Sequence, residues 1–282
     1  MRVIVLMATY NHEKTIERAI QSVLNQVDDK GKPFSLQLMI HDDGSTDRTK
    51  EIILEKYSNL KEVLFFSWGH KGLMYNYYMM FSCAYNSHSV SPYDYIAFCD
   101  GDDYWIDPLK LQRQTEFMNA NLKYSLCITK VMTQNEGSNE LIPMDVDANF
   151  INRVISFDTV LMGNAYIHAQ SYLLRASYFY RNIDFYDFCK KGFKLWDLPI
   201  ILQLVKDFHI YCLDFYSAVF YKQKESVTNT HSRIKRLRYI LAVNKIKWYY
   251  VKMYGCQSTT KFYLIYKFMR DVYSIIFGRW YK

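Results

Sequence analysis

Residues 95–111 read Tyr-Ile-Ala-Phe-Cys-Asp-Gly-Asp-Asp-Tyr-Trp-Ile-Asp-Pro-Leu-Lys-Leu. An unbroken apolar run, Tyr95–Cys99, has the pattern of a strand buried on both faces. It ends abruptly in a turn that carries Asp100, Asp102 and Asp103 around Gly101. Asp107-Pro108 then supplies an N-cap and a proline at the first helical position, opening a helix to about Asn119. The unit is strand, polar turn, helix.

The same unit recurs upstream. Residues 2–8 (RVIVLMA) form a β-branched apolar run, followed by Thr9-Tyr10-Asn11 and a helical stripe of Ile16, Ala19, Ile20, Val23 and Leu24. Leu36–Ile40 runs into His41-Asp42-Asp43-Gly44-Ser45-Thr46-Asp47, whose Ser, Thr and Asp side chains suit a helix start. Val63–Phe66 is a third strand, and Gly72 to about Tyr85 reads as helical. Such alternation predicts an α/β fold with a doubly wound, mostly parallel sheet. Ligands of these sheets sit at the carboxyl ends of the strands, where all three polar clusters lie. Beyond residue 120 the pattern loosens. Strands are expected over 125–132, 168–174 and 209–221, and a helix over 197–205.

Half of the 282 residues are hydrophobic, 17% are aromatic and 22% are charged, which excludes disorder and low-complexity classes. The six cysteines form no C-x-x-C pair and read as buried thiols of a reducing compartment. No basic-then-apolar leader opens the chain and no run of about 18 apolar residues occurs, so a cytoplasmic protein is expected. The net charge of +7 divides unevenly. Residues 231–282 hold 12 Lys/Arg against Asp271, a balance of +11, while the first 230 residues hold 23 basic and 27 acidic groups, or −4. That tail also carries 13 aromatics. Two regions are therefore expected: 1–230, with halves 1–120 and 121–230 divided where the regular alternation ends, and a basic, aromatic, amphipathic helical segment over 231–282.

Each cluster has a chemical and a plain reading. Three carboxylates on one turn repel unless a cation is present, and hard oxygen ligands suit Mg²⁺ or Mn²⁺; an acidic helix cap is the alternative. Asp42 and Asp43 can accept from a base N–H or a ribose hydroxyl, or can merely cap the next helix. Asp197, after Trp196, is either a helix cap or a general base held against an aromatic wall with a raised pKa. No G-x-G-x-x-G follows the first strand and no P-loop occurs, which removes the main support for dinucleotide or P-loop chemistry.

In order, A-T-Y-N at 8–11, H-D-D-G-S-T-D at 41–47, H-K-G-x-x-x-N at 70–76 and C-D-G-D-D-Y-W-x-D-P-x-K-L at 99–111 resemble the family 2 glycosyltransferases of bacterial polysaccharide and glycan assembly. The resemblance is close to about residue 120 and weaker to about 228, and it implies the GT-A fold. It implies that Thr9, Tyr10 and Asn11 line the nucleotide pocket, with Asp43 and less directly Asp42 on the base or ribose. Gly72, Asn76, Asp100, Gly101 and Asp102 would complete the nucleotide-sugar site, Asp102 being the foremost metal ligand and Asp100 the second. Asp103, Tyr104 and Trp105 would face donor sugar or acceptor. Leu195–Pro199 resembles the block that carries the family's base, which assigns that role to Asp197. The family's later metal-binding histidine is replaced by Lys224, so His231 becomes a candidate third ligand, or Lys222 and Lys224 would meet the diphosphate.

The implied activity is inverting transfer of a sugar from a nucleoside diphosphate sugar, UDP favoured, to a saccharide hydroxyl, with Mn²⁺ or Mg²⁺ as cofactor. The rivals are a nucleotidyltransferase, which would want a Gly-rich basic loop after the first strand, and a degenerate scaffold that keeps the fold without turnover. Basic helices with Trp and Tyr suit an anionic membrane surface, so a peripheral position on the inner face of the cell membrane and a lipid-linked acceptor are expected. The alternative is that the tail's apolar stripe packs on the catalytic part or forms a homodimer. Nucleic acid is not an expected partner.

Overall fold

The computed structural model describes residues 2–86, 94–144, 151, 154–163, 167–224 and 232–277. Strands β1 (Val3–Thr9), β2 (Leu36–Asp42), β3 (Val63–Ser67) and β4 (Tyr95–Phe98) alternate with helices α1 (Ile16–Leu24), α2 (Thr49–Tyr57) and α3 (Leu73–Asn86). They pair in parallel in the order β3-β2-β1-β4. The expected alternation is present. A short strand β5 (Tyr104–Trp105) and helix α4 (Lys110–Ala120) follow.

The sheet then becomes mixed. β6 (Tyr124–Asn135), β7 (Ile142–Pro143), β8 (Leu173–Arg175) and β9 (His209–Lys222) extend it to β3-β2-β1-β4-β8-β6-β9-β5, with β7 on the edge of β6. β8 runs antiparallel to both β4 and β6, whereas β6 and β9 pair in parallel. The expected strand over 168–174 is mostly a 3-10 turn at Ala169–Ser171, leaving only three residues for β8. Helices α5 (Phe157–Met162), α6 (Ala176–Asn182), α7 (Phe185–Lys190) and α8 (Asp197–Asp207) cover one face. Helices α9 (Arg233–Tyr254) and α10 (Ser258–Phe277) end the described chain.

The two-residue period of β1 assigns its side chains to two cores. Val3, Val5 and Met7 pack with Ile16, Ile20, Val23 and Ile53 of α1 and α2. Ile4, Leu6 and Ala8 pack on the other face with Tyr77, Phe81, Trp196, Ile200 and Leu204. That second core includes Ile246, Tyr250, Val251 and Leu264 of α9 and α10. The basic tail therefore shares a hydrophobic core with the sheet domain, through α8 and α5. Among the described residues no helix is long and apolar enough to cross a membrane. Cys99, Cys127 and Cys212 are buried free thiols.

Candidate functional site

The parallel register brings the polar turns together. Thr9 pairs with Asp42, and Leu6 with Phe98, so the carboxyl ends of β1, β2 and β4 meet on one edge. Gly101 N–H donates to Ala8 O (2.9 Å) and Asp43 N–H to Thr9 O (2.9 Å). A Cβ on Gly101 would lie 2.6 Å from Thr9 Oγ1 and 2.8 Å from His12 Nδ1. Only glycine fits this approach.

Asn11 adopts φ +55 and ties the first two turns together. Its N–H donates to Ser45 Oγ (2.9 Å) and its Oδ1 accepts from Thr46 N–H (2.8 Å). Asp42 is spent within its own turn: it is fully buried and accepts from the Gly44 and Ser45 amides, Ser45 Oγ and Ser67 Oγ. It is a turn former.

Asp43 is buried beneath the 70–72 segment. Its carboxylate accepts from Lys71 N–H (2.7 Å) and Gly72 N–H (3.1 Å), and His70 Nδ1 lies 3.0 Å from Oδ2. Gly72, at φ +92, turns the backbone so that both amides point at it. The half-exposed Tyr10 ring packs on His70 at 4.8 Å. Asn76, in the first turn of α3, is buried and its Oδ1 accepts no hydrogen bond among the described residues. Tyr10, Asp43, His70, Gly72 and Asn76 thus share one corner of the strand-end edge.

The three carboxylates of the 100–103 turn part company. Asp100 Oδ1 turns inward to Tyr77 Oη and Ala8 N–H. Burial, with Asp102 close by, pushes its carboxyl up to about 7, against the pull of those two donors. Asp103 is buried, and its Oδ1 accepts from Tyr221 N–H (2.9 Å), locking the end of β9 to this turn. Burial, and then Asp102, raise its pKa well above the carboxylate range. Asp102 stays partly exposed, with Gln223 Nε2 donating to its Oδ2 (3.2 Å) and His12 Nε2 3.8 Å from the same oxygen.

Two residues expected to face donor sugar or acceptor sit against protein groups. Asp103 faces the β9 backbone, as described, and Trp105 is buried with its Nε1–H on Gln170 O (3.0 Å) and Lys110 Nζ over its ring. Tyr104 is half-buried; its hydroxyl donates to Gln134, and the Arg18 guanidinium covers its ring at 3.9 Å. The D-Y-W run looks outward in the sequence because short polar and aromatic residues follow a strand end, yet Tyr104 and Trp105 form β5 and re-enter the sheet beside β9.

Asp197 begins α8 and is half-buried, with its Oδ1 on Leu198 N–H (2.8 Å). Burial raises its pKa. It borders a cavity of about 260 Å³ with Tyr172, Leu195, Tyr239, Val243 and Lys247. A second cavity of about 220 Å³ is lined by Asp47, Tyr221 and the two neighbours of Asp102, His12 and Gln223. Tyr77 connects the two sides: its hydroxyl holds Asp100 and its ring stacks on Trp196 at 3.8 Å, next to Asp197.

The sequence reading overlooked His12, Tyr77, Gln223 and the cavity residues of α9. His12 and Tyr77 each directly follow a motif block, at 8–11 and 70–76, and adjacency is the signal that was open to use. His231 lies outside the described residues, and Lys224 lends its backbone N–H to Glu136 (2.9 Å).

No group of three or more His, Cys, Asp or Glu able to hold a metal ion occurs among the described residues. What is present, one partly open carboxylate with an imidazole nearby, fits a divalent ion that takes most of its oxygens from a phosphate ligand and water.

The model of the family described as Glycosyl transferase family 2 matches residues 4–180. The chain belongs to this family. Among curated relatives, the family 2 chain is 33% identical over 102 residues to the dTDP-rhamnosyl transferase RfbG of Shigella flexneri, a match covering 35% of the chain and 32% of RfbG. The chain spans about a third of the length of the curated relatives it matches. Among solved structures, TarS 1-349 of S. aureus in complex with UDP-GlcNAc superposes with a TM-score of 0.63 at 15% identity, covering 97% of this chain and 73% of that one. The mannosyltransferase PcManGT from Pyrobaculum calidifontis, in complex with GDP-Man and Mn²⁺, gives 0.59 at 13% identity over 97% and 72%. The fold is that of these GT-A neighbours.

Proposed function

We propose that this family 2 chain transfers a sugar from a nucleoside diphosphate sugar to a saccharide hydroxyl with inversion. The observation that carries the reading is the division of carboxylates. Asp102 stands partly open at the strand ends beside His12, while Asp197 borders a separate cavity, and Tyr77 links the two sides by holding Asp100 of the first turn and stacking on Trp196 beside Asp197. Glycosyl transfer needs charge stabilisation on the leaving side and proton removal on the attacking side. Tyr10, Asp43 and Asn76 would receive the nucleoside. Asp102 and His12 would hold Mn²⁺ or Mg²⁺, whose chemistry when bound is to offset the negative charge of the departing diphosphate. Asp197 takes the proton from the acceptor hydroxyl as its oxygen bonds to the anomeric carbon, and the bond from that carbon to the phosphate oxygen breaks on the opposite face.

UDP-sugars remain the favoured donors, supported by the TarS complex with UDP-GlcNAc, while RfbG and PcManGT are named for dTDP-rhamnose and GDP-mannose chemistry. The acceptor is read as lipid-linked, with the enzyme peripheral on an anionic membrane face. Support comes from α10, whose exposed Phe262, Tyr266, Met269, Tyr273 and Ile276 recur at helical spacing beside Lys261 and Arg270. On α9, exposed Ile234, Leu241 and Trp248 alternate with Arg238, Lys245 and Lys252 along one stripe. The test is a nucleotide-sugar panel with Mn²⁺ and Mg²⁺, reading release of the nucleoside diphosphate. One donor should be hydrolysed slowly without acceptor. Nucleotide binding with no hydrolysis or transfer under any pairing would favour the degenerate scaffold instead.

A further inference from the structure

A lysine of each C-terminal helix comes to the Gly163 corner of the cavity that Asp197 borders. Lys247 of α9 lines it and is only 6% exposed. Gly163, which ends α5 in the left-handed region, lines the same cavity. A Cβ built on Gly163 would lie 3.0 Å from Lys267 Nζ of α10 and 3.4 Å from Lys247 Nζ. The two ammonium groups therefore converge on one point, and any residue larger than glycine would fill it.

Their surroundings answer that charge only in part. Lys267 Nζ spends one donor on Met162 O (3.1 Å), and Lys247 has no hydrogen-bond or ion-pair partner among the described residues. Asp271 is the acid that acts on both, and its carboxylate is bridged to Arg270 at 2.8 Å. Asp197 forms no ion pair with either. Burial, and then the neighbouring Lys267, lower Lys247 to about 8. A buried cation without a counter-charge is unfavourable, and two that repel each other more so. A long lysine can usually carry its ammonium out to water, but Lys247 is buried where α10 packs on α9, with its ammonium beside Gly163. A bound oxyanion removes the penalty, and it would sit in the same cavity as the carboxylate assigned to the acceptor hydroxyl. Tyr239 also lines the cavity, the Tyr172 hydroxyl donates to Ile167 O (3.1 Å), and Val160, Leu198 and Val243 supply an apolar wall.

We propose that Lys247 and Lys267 form an oxyanion subsite of the acceptor cavity, taking a phosphate or carboxylate group carried by the saccharide whose hydroxyl Asp197 deprotonates. The acceptor is then an anionic saccharide, and the C-terminal helices complete its binding site. This rests on the reading of Asp197 as the base.

Calorimetry on the full chain, saturated with UDP and Mn²⁺ so that the diphosphate side is filled, decides it with glucose 1-phosphate, glucuronate and glucose as probes. At least one anionic sugar should bind roughly tenfold or more tighter than glucose, as charge-assisted hydrogen bonds allow. Which of the two wins separates phosphate from carboxylate. In Lys247→Met/Lys267→Met the preference should vanish while UDP affinity holds. Lys247→Met alone, which removes no hydrogen bond, should lose most of it with an undisturbed thermal melt. Equal binding of glucose and both anions overturns the subsite, as does an unchanged preference in the folded double variant. If UDP itself does not bind, the donor reading fails, and the same titrations on nucleotide-free protein still decide the lysine pair.

Discussion

Asp102 and Asp197 differ in what already occupies them, and their substitutions should separate accordingly. Asp102→Asn removes one charge from a turn where Asp100 and Asp103 repel it, and the side chain is partly exposed, so the fold should keep its melting temperature. Mn²⁺-dependent binding of nucleoside diphosphate should be lost in calorimetry, and near-normal binding would remove Asp102 from the metal site. Asp197→Asn should lower turnover by roughly 10² or more with donor affinity kept, as for loss of a positioned base. The pH profile adds a sign. A base works ionised, so the rate rises with pH through its pKa, and burial raises that pKa. The acidic limb of kcat should therefore lie above about 4, the ordinary carboxylate value. A limb at or below that value would place the base elsewhere.

The ends of β1 and β4 and the start of α4 show how elements hold the site in register. Gly101→Ala places a methyl against Thr9 Oγ1 and Cβ, both part of a buried strand end, so the strands must part. Overpacking of this kind costs about 1–3 kcal/mol. Denaturant melts should report that loss, and nucleotide binding should weaken because Thr9 and His12 move with the strand. Lys110, in the first turn of α4, is buried under Trp105 with its Nζ on Gln114 Oε1 (2.6 Å). Burial lowers its pKa from 10.5 to about 7. The folded value lies below the unfolded one, so Lys110 costs nothing above 10.5 and progressively destabilises the fold as pH falls toward 7. Lys110→Met removes that slope. Its melting temperature relative to the parent should climb as pH drops from about 10 to 7 and then level off; a constant difference would mean that Lys110 stays charged in the fold.

The helices α9 and α10 belong to the molecule's core as well as to its surface. Ile246, Tyr250, Val251 and Leu264 are buried against the sheet domain. At about 1.5–3 kcal/mol per buried side chain, their loss is comparable with the ~5–15 kcal/mol that holds a domain folded. A chain ending near residue 230 should therefore lose cooperative unfolding by circular dichroism, which makes truncation a poor probe of membrane binding. Surface changes are the cleaner test. Ile265→Ser/Met269→Ser/Ile276→Ser alters exposed residues alone, so the melt should hold while co-sedimentation with anionic vesicles falls severalfold. Unchanged co-sedimentation would remove α10 from the membrane face, and a shift from dimer to monomer on sedimentation would assign the stripe to a second copy of the chain.

The strand–turn–helix alternation, the buried faces of β1 and α1 and the polar strand ends were legible in 120 residues of sequence, because period-2 and period-3.6 patterns record which face each element buries. The clusters at 9–11, 42–47 and 100–103 were legible for the same reason: carboxylates placed just after buried strands must serve a turn or a ligand. Which of the two they serve depended on partners far along the chain. Asp42 went to its own turn, Asp103 to Tyr221, Asp100 to Tyr77, and Asp102 kept an open face. Residues 231–282 showed their charge and aromatics plainly, but whether a helical stripe meets water, lipid or protein is set by what packs against it. Packing turned Ile246 and Tyr250 inward, left Phe262 and Met269 outward, and brought Lys247 to the cavity beside Asp197 with Lys267 against its Gly163 corner. Local patterns encode the elements, and contacts between residues distant in sequence select which of their polar groups remain available for chemistry.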